Sequence, residues 1–232
     1  MRGGVSVHHS RCGPLGVLDL LSDRVGIAGE VVGLDNEPRM IAFAHRAVAE
    51  RGLGNVRLLE ADAYASNLPA DSFDVAHERL VLNNVTAPES VVGEMVRIVR
   101  PGGWVALQDV DWITWTCEPP HPAWRELLAA LTASRQAAGL DPFIGRRLPA
   151  LLRGAGMVDV DVRAYQYIWR PGDLYHSLLV RFVAIHRSRI IDGGRLTSER
   201  IDELTAELEQ HLAQPETIVI YTPLFQAWGR KS

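Results

Sequence analysis

Along the first two thirds of the chain, short apolar runs alternate with segments whose apolar positions recur at helical spacing, the pattern of βα repeats around a parallel sheet. A buried strand is predicted over 31–34. Asp35 and Asn36 follow it, then Pro38 in a first helical turn with Met40, Ile41, Ala44 and Val48 on one face. Further strands are predicted over 56–59 and 73–76. Thr86 and Glu89 have the spacing of a capping box, which would open a helix burying Val91, Val92, Met95, Ile98 and Val99. Pro101-Gly102-Gly103 is expected to turn the chain into a strand over 104–108. Past Asp111 the pattern lengthens into helices over 123–138 and 146–154, an alternating strand over 158–162, helices over 173–191 and 198–213, and a paired-strand segment over 218–228. The expectation is an α/β fold in a single domain, 1–232, whose two halves meet near Asp111, at 1–111 and 112–232.

Composition narrows this picture. The 232 residues are 47% hydrophobic and 22% charged, which suffices for one sizeable core. No apolar run approaches the roughly 20 residues that cross a bilayer, and no signal-peptide core precedes Ser10; no membrane partner and a cytoplasmic location are expected. A net charge of −4 with scattered arginines lacks the electrostatic footprint of a nucleic-acid partner. Cys12 and Cys117 form no metal-ligand or disulfide framework, so free thiols and no metal are expected. Lys231 is the sole lysine, which excludes a Walker A loop, a Tyr-x-x-x-Lys dehydrogenase pair and Schiff-base chemistry.

Candidate chemistry gathers at strand ends. Cys12-Gly13-Pro14-Leu15-Gly16 is a loop where glycine lets backbone approach a ligand. Asp35 lies at the carboxyl end of the second strand, where a carboxylate can accept both hydroxyls of a ribose; it could equally cap the following helix. Glu60-Ala61-Asp62-Ala63 follows the third strand, Leu68-Pro69-Ala70-Asp71-Ser72-Phe73-Asp74 announces the fourth, and Arg100-Pro101-Gly102-Gly103 precedes the fifth. A nicotinamide dehydrogenase would use the glycine loop and Asp35 but leaves the later motifs unexplained.

This ordered series resembles the class I S-adenosylmethionine-dependent methyltransferases of the ubiquinone/menaquinone-biosynthesis-like superfamily, closely over 12–111 and more loosely to the end. The resemblance implies a Rossmann-like, mostly parallel seven-stranded sheet flanked by helices, with an antiparallel last strand and helical cap insertions. It makes 1–111 the cofactor-binding half and 112–232 the substrate-covering half. It implies S-adenosylmethionine as cofactor and a small-molecule substrate, with a homodimer allowed for. Gly13, Pro14 and Gly16 would pass under the cofactor, Asp35 would hold the ribose, Asn36 and Met40 would flank the adenine, and Asp62 and Ala63 would meet its amino edge. Glu78 or Arg79 would face the methionine end. The first motif departs from the family: His9 stands at its acidic position and Arg11 at its first glycine, and the helical segment that usually precedes the first strand is missing. A truncated N-terminus, altered cofactor binding and loss of methyl transfer all remain open, the last as non-methylating chemistry such as cyclisation or as a non-catalytic binding protein.

Asp109 and Asp111, at the end of the fifth strand, and His121 in the loop beyond are the candidate catalytic bases, each with an alternative as a capping or solvated residue; an acidic acceptor could need positioning alone. Trp112, Trp115, Trp124 and Phe143 are read as core of a helical cap, some of them able to line an apolar acceptor pocket. The acceptor expected is a hydroxyl of an apolar or aromatic metabolite.

Overall fold

The computed structural model describes residues 6–10, as backbone, and 16–232. Two compact units emerge. The first comprises Met1–Asp109, Gly145–Arg163 and Phe225–Ser232; the second comprises Val110–Ile144 and Ala164–Leu224.

In the first unit the strands are β1 (Ser6–Ser10), β2 (Glu30–Asp35), β3 (Val56–Glu60), β4 (Phe73–Arg79), β5 (Val99–Val110), β7 (Val158–Tyr165) and β10 (Leu224–Arg230), the last three reaching its borders. They hydrogen-bond in the order β3-β2-β1-β4-β5-β10-β7. From β3 to β5 every pair is parallel, with Val7 opposite both Val31 and Val75, and Val31 opposite Val56. β10 runs the other way, because Gly102 N–H donates to Lys231 O and Lys231 N–H to Gly103 O, both at 2.9 Å. The chain leaves β1 toward β2 and β3 on one side and returns as β4 and β5 on the other. That reversal opens a crevice at the carboxyl ends of β1 and β4.

Helices cover the sheet through their apolar stripes. α1 (Leu18–Val25) and α2 (Pro38–Glu50) bring Leu18, Ile41 and Ala44 onto Val31 and Leu58, a cluster closed by Leu21, Val25, Val48 and Val56. Leu18 also lies so close to Gly33 that a Cβ there would stand 3.2 Å from its methyl carbons and 2.9 Å from Leu58. α3 (Pro88–Ile98) buries Pro88, Val91, Val92, Met95 and Ile98 and packs on β4 and on α5 (Leu148–Gly154).

Two local expectations are corrected here. Thr86 is not the N-cap of α3: Pro88 at the first helical position sets the start one residue later, Ala87 is the cap without a side-chain bond, and Glu89 instead pairs with Arg147 at 3.1 Å. Pro101-Gly102-Gly103 is not a turn before a strand but lies inside β5, where the register jumps between Phe73–Val99 and Val75–Trp104. Gly102 takes φ +78°, and a Cβ on Gly103 would stand 2.7 Å from Asp74 O, so both positions of the bulge require glycine.

The second unit is built on α4 (Pro122–Ala137), α6 (Leu178–Asp192) and α7 (Ser198–Leu212), which pack on one another. Arg200 clamps Glu126 through two hydrogen bonds of 3.0 and 2.9 Å, tying α7 to α4. The strands β6 (Thr116–Glu118), β8 (Ile168–Trp169) and β9 (Ile218–Ile220) form a small antiparallel sheet in the order β6-β9-β8. Here the expected helix start near 173 is corrected: the segment turns at Asp173, which caps Arg170 N–H, and the helix begins at Leu178. His176 therefore precedes the helix, buried, with Nε2 3.1 Å from Thr217 O.

Candidate functional site

Within the first unit a cavity of about 210 Å³ opens at the carboxyl ends of β2, β3 and β4. Its walls are Leu34 at the end of β2 and Asn36 just after it, Asp62, Ala63 and Tyr64 after β3, and Val81, Asn84, Val85 and Thr86 after β4. Asp35 is buried at the end of β2 and its Oδ1 accepts the Glu37 N–H at 3.0 Å. The N-cap of α2 is Glu37, whose carboxylate accepts Arg39 N–H, so capping is not the role of Asp35. Asp62 shapes its own loop by accepting Tyr64 N–H at 2.9 Å. Tyr64 crosses toward α3, its hydroxyl accepting Ala87 N–H at 3.4 Å. Two apolar walls, an aromatic ring and the Asp62 carboxylate suit a flat heterocycle; Asp35, between the lining residues Leu34 and Asn36, is itself buried and is not one of the walls.

The structure thus brings Asn36, Asp62 and Ala63 together. Met40 is half-buried in the first turn of α2, and Gly16 takes φ +58° just ahead of α1; neither is a wall of this cavity. Gly13 and Pro14 lie outside the described residues, as do Arg11 and Cys12. Arg79 is exposed at the end of β4. Glu78, one residue earlier, is fully buried and is not a wall of the cavity: its Oε2 accepts Val81 N–H at 3.1 Å and its Oε1 accepts Gln108 N–H at 3.0 Å. Burial, then the neighbouring charge of Asp109, pushes its carboxyl well above the usual carboxylate range. His77, on the opposite face of the strand, is lowered to about 4 by burial and by Arg79, and is neutral at physiological pH.

Each candidate base is engaged with backbone. Asp109 is fully buried, its Oδ2 accepting Asn83 N–H at 2.9 Å and its Oδ1 the Asn83 side-chain amide at 2.6 Å. In the second unit, Asp111 caps the 3₁₀ turn Trp112–Thr114 by accepting Ile113 N–H at 3.1 Å. His121 is the N-cap of α4, with Nδ1 accepting Ala123 N–H at 3.2 Å and its ring stacked 4.7 Å from that of His211. Cys117 is a buried free thiol pushed up chiefly by burial.

The aromatic residues of the second unit form one network. Trp115 meets Trp112 at 5.3 Å, Trp124 at 5.8 Å, Phe182 at 5.9 Å and Tyr221 at 5.9 Å, and Tyr221 continues to Trp169 at 6.3 Å. The Arg135 guanidinium lies 5.2 Å over Trp112. Among the described residues, the buried donors Trp115 Nε1, Trp169 Nε1 and Thr222 Oγ1 have no hydrogen-bond partner. Phe182, Trp169 and Tyr221 were not legible as members, because they are brought in from α6, β8 and the end of β9, far along the chain.

A doubly wound sheet with a cavity at the carboxyl ends of its strands and acidic residues on two of those ends defines an α/β protein of the nucleotide-binding type. Comparison with known proteins narrows the class. A family model for the methyltransferase domain matches residues 11–107. Demethylmenaquinone methyltransferase from Geobacillus sp. (strain WCH70) is 31% identical over 175 residues, covering 67% of this chain and 72% of the relative. Among solved structures, the YcgJ protein from Bacillus subtilis superposes with a TM-score of 0.63 at 18% identity, covering 100% of this chain and 94% of that one. Phosphoethanolamine N-methyltransferase 2 from Haemonchus contortus, solved with phosphomonomethylethanolamine and S-adenosylhomocysteine, superposes with a TM-score of 0.60 at 15% identity, covering 100% of this chain and 50% of that one. The chain belongs to the class I S-adenosylmethionine-dependent methyltransferases of the ubiquinone/menaquinone type, and S-adenosylmethionine is its cofactor.

Proposed function

We propose that this methyltransferase acts on an acidic hydroxyl, a phenol or enol, carried by an apolar or aromatic small molecule. The observation that carries this reading is the state of the candidate bases. Asp109, Asp111 and His121 all spend lone pairs on backbone N–H groups, and His121 with Nδ1 so occupied presents a donor rather than a base. An acceptor that ionises by itself needs no protein base. S-adenosylmethionine, when bound, supplies an electrophilic methyl on a sulfonium. The acceptor oxygen's electron pair forms the new O–C bond as the S–C bond breaks, so the chain's task is to hold, orient and exclude water.

Cofactor holding falls to the first unit. Asp35 holds the ribose, Asn36 flanks the adenine, and Asp62 with Ala63 meets its amino edge. Gly16 supplies close backbone, and Arg79 faces the methionine end. The acceptor falls to the second unit, where the Trp112–Trp115–Phe182–Tyr221 surfaces favour a planar ring. The test is a panel of phenols, enols, aliphatic alcohols and amines incubated with S-adenosylmethionine, with products read by mass. Methylated phenols or enols are expected, at a rate rising with pH as the acceptor ionises. Methylation confined to amines or aliphatic alcohols, or conversion without gain of a methyl, would overturn the reading.

A further inference from the structure

Two fully buried carboxyl groups stand side by side where β4 and β5 end, and neither reaches the cofactor cavity. Both point at one short stretch of chain. Glu78 holds Val81 N–H, and Asp109 holds Asn83 through its backbone and side-chain amides. Just ahead of that stretch Leu80 gives its N–H to Gln108 O at 2.8 Å, and the stretch itself buries Val81 and Leu82 fully. It follows Leu80, whose φ of +58° is unusual for a branched apolar side chain, and it forms a single 3₁₀ turn, Leu82–Asn84. Yet Val81 and Asn84 are walls of the cavity, facing Leu34 and Asp62 across it.

We propose that Glu78, Asp109 and Asn83 are positioning residues, which together fasten the turn after β4 and so set the wall of the cofactor pocket that Val81 and Asn84 provide. This rests on the cofactor occupying that cavity. It reassigns Asp109 from acceptor chemistry and Glu78 from direct cofactor contact. The geometry points that way: a carboxylate with no exposure, its two oxygens accepting from Asn83 at 2.6 and 2.9 Å, is shut away from an acceptor in solution. Asn83 gives Asp109 both its backbone N–H and its side-chain amide, a two-point clasp that fixes the turn in rotation as well as distance.

The clasp can be reversed, which makes its test specific. In the exchange Asn83→Asp with Asp109→Asn, the amide at 109 can still accept the backbone N–H at 83 and donate to the new carboxylate. Affinity for S-adenosylhomocysteine is measured by calorimetry on the full chain, with methyl transfer followed at saturating cofactor. Asp109→Ala is expected to weaken binding about tenfold or more while leaving the saturated rate within about threefold, a loss of roughly 1.4 kcal/mol per tenfold. The exchange pair is expected to recover most of that affinity. A loss of saturated rate with affinity unchanged, or no recovery in the exchange pair, overturns the proposal; the first outcome would return Asp109 to acceptor chemistry. Asp35→Ala, measured alongside, separates the two readings. Affinity lost there but intact in the 109 variant refutes only the clasp, whereas affinity intact in both refutes the cofactor site itself.

Discussion

Lys231, the chain's sole lysine, works as a helix clamp. Its Nζ donates to Val96 O at 2.9 Å and Val99 O at 2.8 Å, where α3 leaves carbonyls without helical partners, and to Asp71 at 2.7 Å. Positive charge at a helix C-terminus is favourable in its own right. Lys231→Ala is therefore expected to lower stability by about 1–2 kcal/mol, read as a shift of the denaturation midpoint at unchanged slope. His121 gives a second expectation at this scale. As the cap of α4 its loss costs about 1 kcal/mol, so His121→Asn, which can still cap, should restore the stability that His121→Ala removes. Methyl transfer should survive both changes; its disappearance in the asparagine variant would show that the imidazole acts on the acceptor.

Among the elements, the bulge in β5 is the least replaceable. Gly103→Val would drive side-chain atoms into Asp74 O and Val99, with a Cβ already at 2.7 and 2.6 Å, and should cost about 3 kcal/mol or prevent folding. Circular dichroism and a denaturation curve decide it. The same bulge shows where sequence reading reached and where it stopped. β2 was legible as a nearly continuous buried apolar run, and β3 and β4 as short apolar segments between polar ones. α2, α3, α4 and α7 were legible from their apolar stripes. Asn36 and Asp62 could be placed at the cavity because each lies within two residues of the end of a legible parallel strand. The bulge was read as a turn, since Pro-Gly-Gly says only that the backbone bends and not that strand pairing resumes across it. β6 and β8 were missed because strands this short leave no periodicity. The wall formed by Val81 and Asn84 was missed for a related reason: a single 3₁₀ turn has no sequence period, and the acidic residues near it, Glu78 and Asp109, lie on separate strands far apart along the chain.

For the whole molecule, the buried carboxyls set opposing limits on pH stability. Glu94 is held at about 2, first by its hydrogen bonds to Arg97 and further by Ser66, and its carboxyl is largely shielded by the fold. A depressed carboxyl contributes stability that is complete above its unfolded value and lost as pH falls from about 4 toward 2. Glu78 has the reverse sign. Its folded form keeps a proton that the unfolded chain gives up near pH 4, so its contribution is complete below that and fades as pH rises toward the raised value. Denaturation midpoints measured across pH should fall at both ends, Glu94→Gln flattening the acid limb and Glu78→Gln the alkaline one. A Glu78→Gln profile identical to the parent's would mean that Glu78 is charged in the folded chain. Among the described residues no helix is long and apolar enough to cross a membrane.

The central claim, that this fold uses S-adenosylmethionine through the cavity at the ends of β2, β3 and β4, is tested most directly by calorimetric titration of the chain with S-adenosylhomocysteine. The expected result is one site per chain with a dissociation constant on the order of micromolar, weakened at least tenfold by Asp35→Ala. Absence of binding to the folded parent chain, or binding indifferent to Asp35, would contradict it.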